Sequence, residues 1–220
     1  MVSRKQRKID DYKRREAFKE PRKSILIVCE GEKTEPIYFN ALKETLRLIM
    51  VDVEIVGEGG APITVVNRAI ALREDRKDIV KKRKSLTKAV YEVIYCVIDV
   101  EAPIPHESLA NAVSKAKDNK LEVILSNPCF EYWYILHFRK TSAPFSRSQN
   151  VKSALRREHS AYSESDTTIF NVVYPKTSDA IKHSKEVLNE QHIDAEDLRN
   201  CNPSTHVHKI VEYLQNTTQQ

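Results

Sequence analysis

Apolar residues along this chain fall into short bounded runs, separated by stretches in which they recur at helical spacing. Ile25 to Cys29 (ILIVC) is wholly apolar, which predicts a strand buried on both faces that stops just before Glu30. Tyr38, Ala41, Leu42, Thr45 and Ile49 then share one helical face; Thr34 is the expected N-cap and Pro36 lies in the first turn. Val51 to Val56 reads as a second strand, closed by Gly57-Glu58-Gly59-Gly60. Pro62 opens a second helix with Ile63, Val66 and Ile70 inward, and its continuation, Arg73 to Lys88, is expected to stand in solvent. Tyr91 to Ile98 (YEVIYCVI) predicts a third strand, followed directly by Asp99-Val100-Glu101. Leu109, Ala112, Val113 and Ala116 mark a third helix, and Leu121 to Leu125 a fourth strand. Asn127 as N-cap and Pro128 at the first helical position then predict a helix running to about Phe138.

Four strand-helix units in succession predict an α/β fold, with a mostly parallel four-stranded sheet flanked by helices over residues 25–138. Right-handed crossovers would place the carboxyl ends of the strands on one edge, where such sheets bind ligands. Beyond Arg139 the pattern weakens. Thr168 to Tyr174 reads as an edge strand, and helices are expected at Val151 to His159, Ser178 to Glu190 and Pro203 to Leu214. The organisation expected is a basic arm (1–22), an α/β domain (23–140) and a mainly helical C-terminal extension (141–220) packed on the same domain.

Charge sharpens this division. The 220 residues carry a formal net charge of +5, yet residues 1–24 hold ten basic and four acidic side chains, so the rest of the chain is close to neutral. The arm suits either a grip on phosphate backbone or a solvated leader, and it lacks the hydrophobic core of a signal peptide. No apolar run approaches the roughly 18 residues of a membrane-spanning helix. Cys29, Cys96, Cys129 and Cys201 are scattered without a close pair, which points to buried thiols in a cytoplasmic protein, not to a disulfide framework or a zinc site. His206 and His208 likewise lack a cysteine pair to complete such a site.

Three carboxylates follow buried strands: Glu30 after the first, Asp99 and Glu101 after the third. With those strands adjacent, the acids would meet at one sheet edge. Clustered like charges raise one another's pKa, and a hard divalent cation, Mg²⁺ or Mn²⁺, removes the penalty. In an extended segment residues 99 and 101 would face the same side, toward one ion. Glu131, early in the fourth helix, suits the positive end of a helix dipole and equally a second metal. Lys33, beside Glu30, and Lys176, after Tyr174-Pro175, are the candidate phosphate contacts. Trp133, Tyr134, His137 and Phe138 read as core. No Gly-x-x-x-x-Gly-Lys-Ser/Thr string occurs, which excludes a P-loop.

The string Val28-Cys29-Glu30-Gly31-Glu32-Lys33-Thr34-Glu35 together with Asp99-x-Glu101 resembles the Toprim domain of topoisomerases, primases and OLD-type nucleases. The longer strings Cys29 to Phe39, Ser126-Asn127-Pro128-Cys129-Phe130-Glu131-x-Trp133 and Asn202-Pro203-Ser204-Thr205 are similar to the RloB-like proteins of prokaryotic restriction-modification and phage-defence loci. The resemblance implies a Toprim/Rossmann-like sheet and a Mg²⁺- or Mn²⁺-dependent nuclease of an anti-phage, abortive-infection system. In it Glu30 is general acid/base or metal ligand, and Asp99 with Glu101 holds the ion. Glu101 stands where the pattern has Asp, and the family's following His corresponds to His106, with Ala102 to Pro105 as a local insertion. The partners implied are nucleic acid, DNA or RNA, and a defence-system ATPase; assembly into a homo-oligomer is left open, and a membrane is not expected. Two other readings stay open: a catalytically degenerate nucleic-acid-binding or sensor subunit, and a phospho-acceptor receiver domain built on Asp99.

Overall fold

The computed structural model describes residues 23–48, 51–82, 88–190 and 201–217; the basic arm lies outside them. The elements are β1 (Lys23–Cys29), α1 (Thr34–Thr45), β2 (Val51–Gly57), α2 (Pro62–Lys81), β3 (Val93–Asp99), α3 (Leu109–Asp118), β4 (Glu122–Asn127), α4 (Glu131–Phe138), α5 (Ser148–Glu158), α6 (Ile169–Val173), α7 (Thr177–Glu190), β5 (Ser204–Thr205) and α8 (Val207–Thr217). They build a five-stranded sheet of order β2-β1-β3-β4-β5. The first four strands are parallel and β5 is antiparallel to β4, with Ser126 opposite Thr205 and Asn127 opposite Ser204. The α/β architecture expected from the sequence is present, with β5 as an addition.

Strand β1 lies at the centre of the described core, and its period-2 alternation feeds two separate apolar clusters. Ile25, Ile27 and Cys29 join Tyr38, Phe39 and Leu42 of α1 and the aromatic helix α4. Leu26 and Val28 point the other way, to Val65, Val66 and Ala69 of α2 and Ala112 and Ala116 of α3. Helices on both faces explain why β1 is a continuous apolar run. The first cluster also takes in Val151 and Leu155 of α5, Ala180 of α7, and Ile210 and Leu214 of α8, so the C-terminal helices share the interior of the sheet face they cover. Truncating a fully buried ring there, such as Phe39→Ala, costs on the order of 3–5 kcal/mol. Among the described residues no helix is long and apolar enough to cross a membrane.

Several local expectations are corrected. Lys33, not Thr34, occupies the N-cap position of α1, and the Thr34 hydroxyl instead donates to the Glu164 carbonyl (3.3 Å). Asn127 does not cap α4: it remains in the β4–β5 ladder, the Pro128 carbonyl accepts the Glu101 N–H (2.9 Å), and the helix begins only at Glu131. Pro203 behaves alike, leading into β5 before α8. Residues 168–174 form no strand; Ile169, Phe170 and Val173 are buried at helical spacing in α6, and a 3₁₀ turn follows at Tyr174–Lys176. The charged continuation of α2 does not stand wholly in solvent either. Arg76 is 3 % exposed, held by Asp52 at 2.7 Å and Glu54 at 2.6 Å. Residues 83–87, part of the same charged stretch, and Ile49 lie outside the described residues.

Candidate active site at the carboxyl ends of β1 and β3

Parallel pairing of β1 with β3 brings Glu30 next to Asp99, and each is fixed through the main chain before its side chain is considered. The sheet ladder continues one residue past β1: Glu30 N–H donates to the Val97 carbonyl (3.0 Å), and the Glu30 carbonyl accepts Gly59 N–H (3.0 Å). Gly59 is at φ +67°, a left-handed conformation that glycine adopts at low cost. The Glu30 carboxylate then turns across the strand end, its Oε2 accepting the Asp99 N–H at 3.0 Å. The Asp99 Oδ1 atom is buried and, among the described residues, has no hydrogen-bond partner. An orphaned carboxylate oxygen in such a place is costly unless a cation or proton meets it.

Further acids surround this pair. Glu35, in the first turn of α1, is buried and folds back so that its Oε1 accepts Gly31 N–H (3.0 Å). A Cβ on Gly31 would run into the Glu35 carboxylate, so glycine is required there by close approach. Glu131, buried at the start of α4, has its Oε1 held by the Tyr162 hydroxyl at 2.8 Å and the Lys152 ammonium at 3.6 Å. Lys152, from α5, also reaches Glu164 at 2.5 Å. Glu30, Asp99, Glu35, Glu131, Lys152 and Glu164 line a cleft of about 160 Å³, with Glu101 at its exposed rim and Tyr162 behind Glu131. Six carboxylates thus face one ammonium.

The electrostatics follow. Burial, then the charges of Glu101 and Glu35, push the Glu30 carboxyl up to about 7 against the opposing Asp99 N–H bond. Asp99 is raised well above the usual carboxylate range by burial and by Glu35, Glu131 and Glu30. Glu35 is raised by burial and Glu131, with the Gly31 bond and Lys152 opposing. Burial works against the Lys152 ammonium, but Glu131 and Glu164 outweigh it and raise its pKa.

These elements and strings run through nearly the whole chain, and the match to a family model does the same. The model described as RloB-like protein matches residues 25–214. The chain belongs to the RloB-like family. No curated protein matches it. The matched span covers the strand ends that carry Glu30 and Asp99 and also the segments that carry Lys152 and Tyr162, so both halves of the cleft lie within the family's limits.

In this RloB-like chain, then, Glu30, Asp99, Glu101 and Glu131 meet around one cleft. The geometry of the acidic pair differs from expectation: Glu101 is at φ +66° and exposed, so residues 99–101 are not extended and Glu101 reaches the cleft from its rim. Lys33 is exposed at the start of α1 and is not part of the lining. Lys176 is also absent from the lining; its Nζ lies 4.8 Å from the centroid of the Phe138 ring. His106 turns to its own loop, with Nδ1 accepting Ser108 N–H at 3.1 Å. Trp133, Tyr134 and His137 are buried in the core, as their spacing suggests. Glu35, Lys152, Tyr162 and Glu164 were missed by sequence reasoning. Glu35 sits inside the Glu30–Glu35 string and was open to recognition, whereas nothing local distinguishes Lys152.

The chemistry of the donors fits a hard divalent cation: they are carboxylates, burial disfavours the charged forms of Glu30 and Asp99, and among the described residues Asp99 Oδ1 lacks a partner. Among the described residues no three acidic, histidine or cysteine side chains converge as a ready-made cage. Such a site suits Mg²⁺, which is commonly held by one or two carboxylates and otherwise by water and substrate phosphate, better than an ion that needs a full protein shell.

Proposed function

We propose that this RloB-like chain is a Mg²⁺- or Mn²⁺-dependent Toprim-type nuclease that hydrolyses phosphodiester bonds of nucleic acid in the cytoplasm, within a prokaryotic anti-phage defence system. The observation that carries the reading is the buried, unpartnered Asp99 Oδ1 beside Glu30 at the carboxyl edge of a parallel sheet. Asp99 would hold the ion, with Glu101 entering from the rim and Glu30 standing beside it to receive a proton from water. When bound, the ion would polarise a phosphate oxygen and neutralise developing charge.

The chain's own residues supply the rest. A carboxyl titrating near 7 is suited to accept a proton from water at ordinary pH, and Glu30 is the one so placed. Lys152 adds a fixed positive charge to the cleft, which suits a phosphate group. A cleft of about 160 Å³ has room for a few water-sized groups at roughly 30 Å³ each, so it suits an ion and a phosphate but not a buried nucleoside. A polymer laid across the mouth matches that size.

Incubating the purified chain with plasmid, single-stranded DNA and total RNA, in Mg²⁺, Mn²⁺ or EDTA, tests the reading. Cleavage with metal that is absent in EDTA and lost in Glu30→Gln is expected; undiminished metal-dependent cleavage by Glu30→Gln would sink it. A second reading is a degenerate binding or sensor subunit working with a partner ATPase. It is favoured by the exposure of Glu101 on left-handed backbone and by the lack, among the described residues, of a three-carboxylate cage. Nucleic-acid binding without metal binding would favour that subunit.

A further inference from the structure

The two walls of the acidic cleft are built differently. On the sheet side, the Glu30 carboxylate accepts the Asp99 main-chain N–H, and among the described residues Asp99 Oδ1 has no partner. On the helical side, the carboxylates are already engaged. Glu131 Oε1 takes both the Tyr162 hydroxyl (2.8 Å) and the Lys152 ammonium (3.6 Å), and Lys152 also holds Glu164 Oε1 at 2.5 Å. Both Lys152 and Tyr162 come from the segment that follows α4, so the C-terminal part of the chain closes this side of the cleft.

We propose that Lys152 stands in place of a second metal ion, so that the centre holds a single divalent cation, on the Glu30–Asp99 side. The inference rests on the metal-dependent reading above and deepens it. Phosphodiester chemistry with two ions needs a second cation roughly 4 Å from the first, held by its own carboxylates. Here the acid suited to that role, Glu131, is buried and carries a hydroxyl proton and an ammonium on one oxygen. A second ion placed on that oxygen would have to displace both. The ammonium supplies the same service, a compact positive charge facing a phosphate, without exchangeable metal. Tyr162 is then a positioning residue, because it aims Glu131 at Lys152.

Manganese titration of the full chain at pH 8, read by the electron paramagnetic resonance of free Mn²⁺, tests the proposal without depending on cleavage. The wild type should bind one Mn²⁺ per chain. Lys152→Met, which keeps the stem and removes the charge, should bind two; Lys152→Arg, which keeps a cation, should bind one. Two ions in the wild type, or one in a folded Lys152→Met, overturns the proposal while leaving a metal-dependent nuclease intact. No Mn²⁺ bound by the wild type overturns the parent reading and this one with it. Circular dichroism establishes that Lys152→Met is folded; if it is not, the wild-type stoichiometry decides alone, one ion supporting the proposal and two overturning it.

Discussion

The same strands carry a charged cluster at each end, and the two clusters are opposites. At the amino ends of β1 and β2, Arg76 is buried among Asp52 (2.7 Å), Glu54 (2.6 Å) and Ser24 (3.3 Å), while the Tyr91 hydroxyl donates to Glu54 at 2.5 Å. The guanidinium carbon also lies 4.4 Å from the centroid of the Tyr91 ring. One cation meets two carboxylates in a closed network. At the carboxyl ends of β1 and β3, six carboxylates line a cleft around Lys152, and one buried carboxylate oxygen has no partner. The first arrangement needs nothing from outside and reads as structure. The second is incomplete by itself, and its missing positive charge is what a metal ion would bring.

The largest effect should come from Asp99→Asn. Removing that charge is expected to lower metal-dependent cleavage by about 10³-fold or more, of the order of a lost transition-state electrostatic contact. The metal-free variant should melt no lower than the wild type at pH 8, because a buried unpaired charge is gone. Loss of folding in Asp99→Asn would make the acidic end structural and erase the contrast.

Arg76→Met is the reciprocal test. It leaves Asp52 and Glu54 without their cation, and unfolding by denaturant should show a loss of about 3 kcal/mol, discounted for their partial exposure. Cleavage by the fraction that remains folded should persist. A change within about 0.5 kcal/mol would mean that the paired end contributes little more than a surface contact.

The third test uses pH. Glu30 titrates at about 7 in the fold, above its unfolded value, so its protonated form favours folding and that stability is lost as pH rises through 7. The buried His137, His206 and His208 are pushed down by burial to about 4, 3 and 4, and their opposite effect continues until the unfolded-state imidazoles are deprotonated, above about pH 7.5. Between pH 6.5 and 8 the metal-free wild type should therefore lose about 1 kcal/mol relative to Glu30→Gln, which keeps the same histidines, a fall of about 2–4 °C in the difference between their midpoints. Millimolar Mg²⁺ should restore it at pH 8 and do little at pH 5. A Glu30→Gln variant with the same pH slope would assign the effect elsewhere.

The smallest effect is expected at Glu101. Its φ of +66° disfavours a side chain, so Glu101→Gly should gain about 0.5–1 kcal/mol of stability while weakening metal affinity. Gain of stability without loss of affinity would remove Glu101 from the site.

How far the chain could be read unaided differs between the two ends as well. The run ILIVC announces a strand buried on both faces and YEVIYCVI a third, apolar one, and their ends put Glu30 and Asp99 at one sheet edge. Two-residue β5 has no run to detect, and the Asn-Pro pairs that suggested helix starts are instead held in or beside the β4–β5 ladder. Arg76 looked like one more solvent charge because its partners are Asp52 and Glu54, some twenty residues earlier on β2. Lys152 was hidden for the same reason: its ion pair with Glu131 depends on how α5 packs against α4, which no local pattern encodes. Carboxylates at strand ends are visible from strand propensity, whereas their neutralisation is tertiary.

The central claim is that the carboxyl-edge cluster is a metal centre, and isothermal titration of Mg²⁺ into the metal-free full chain at pH 8, beside Asp99→Asn, tests it most directly. Saturable binding by the wild type with proton release, lost in Asp99→Asn, is predicted. No saturable binding by the wild type, or the same isotherm from Asp99→Asn, would contradict it.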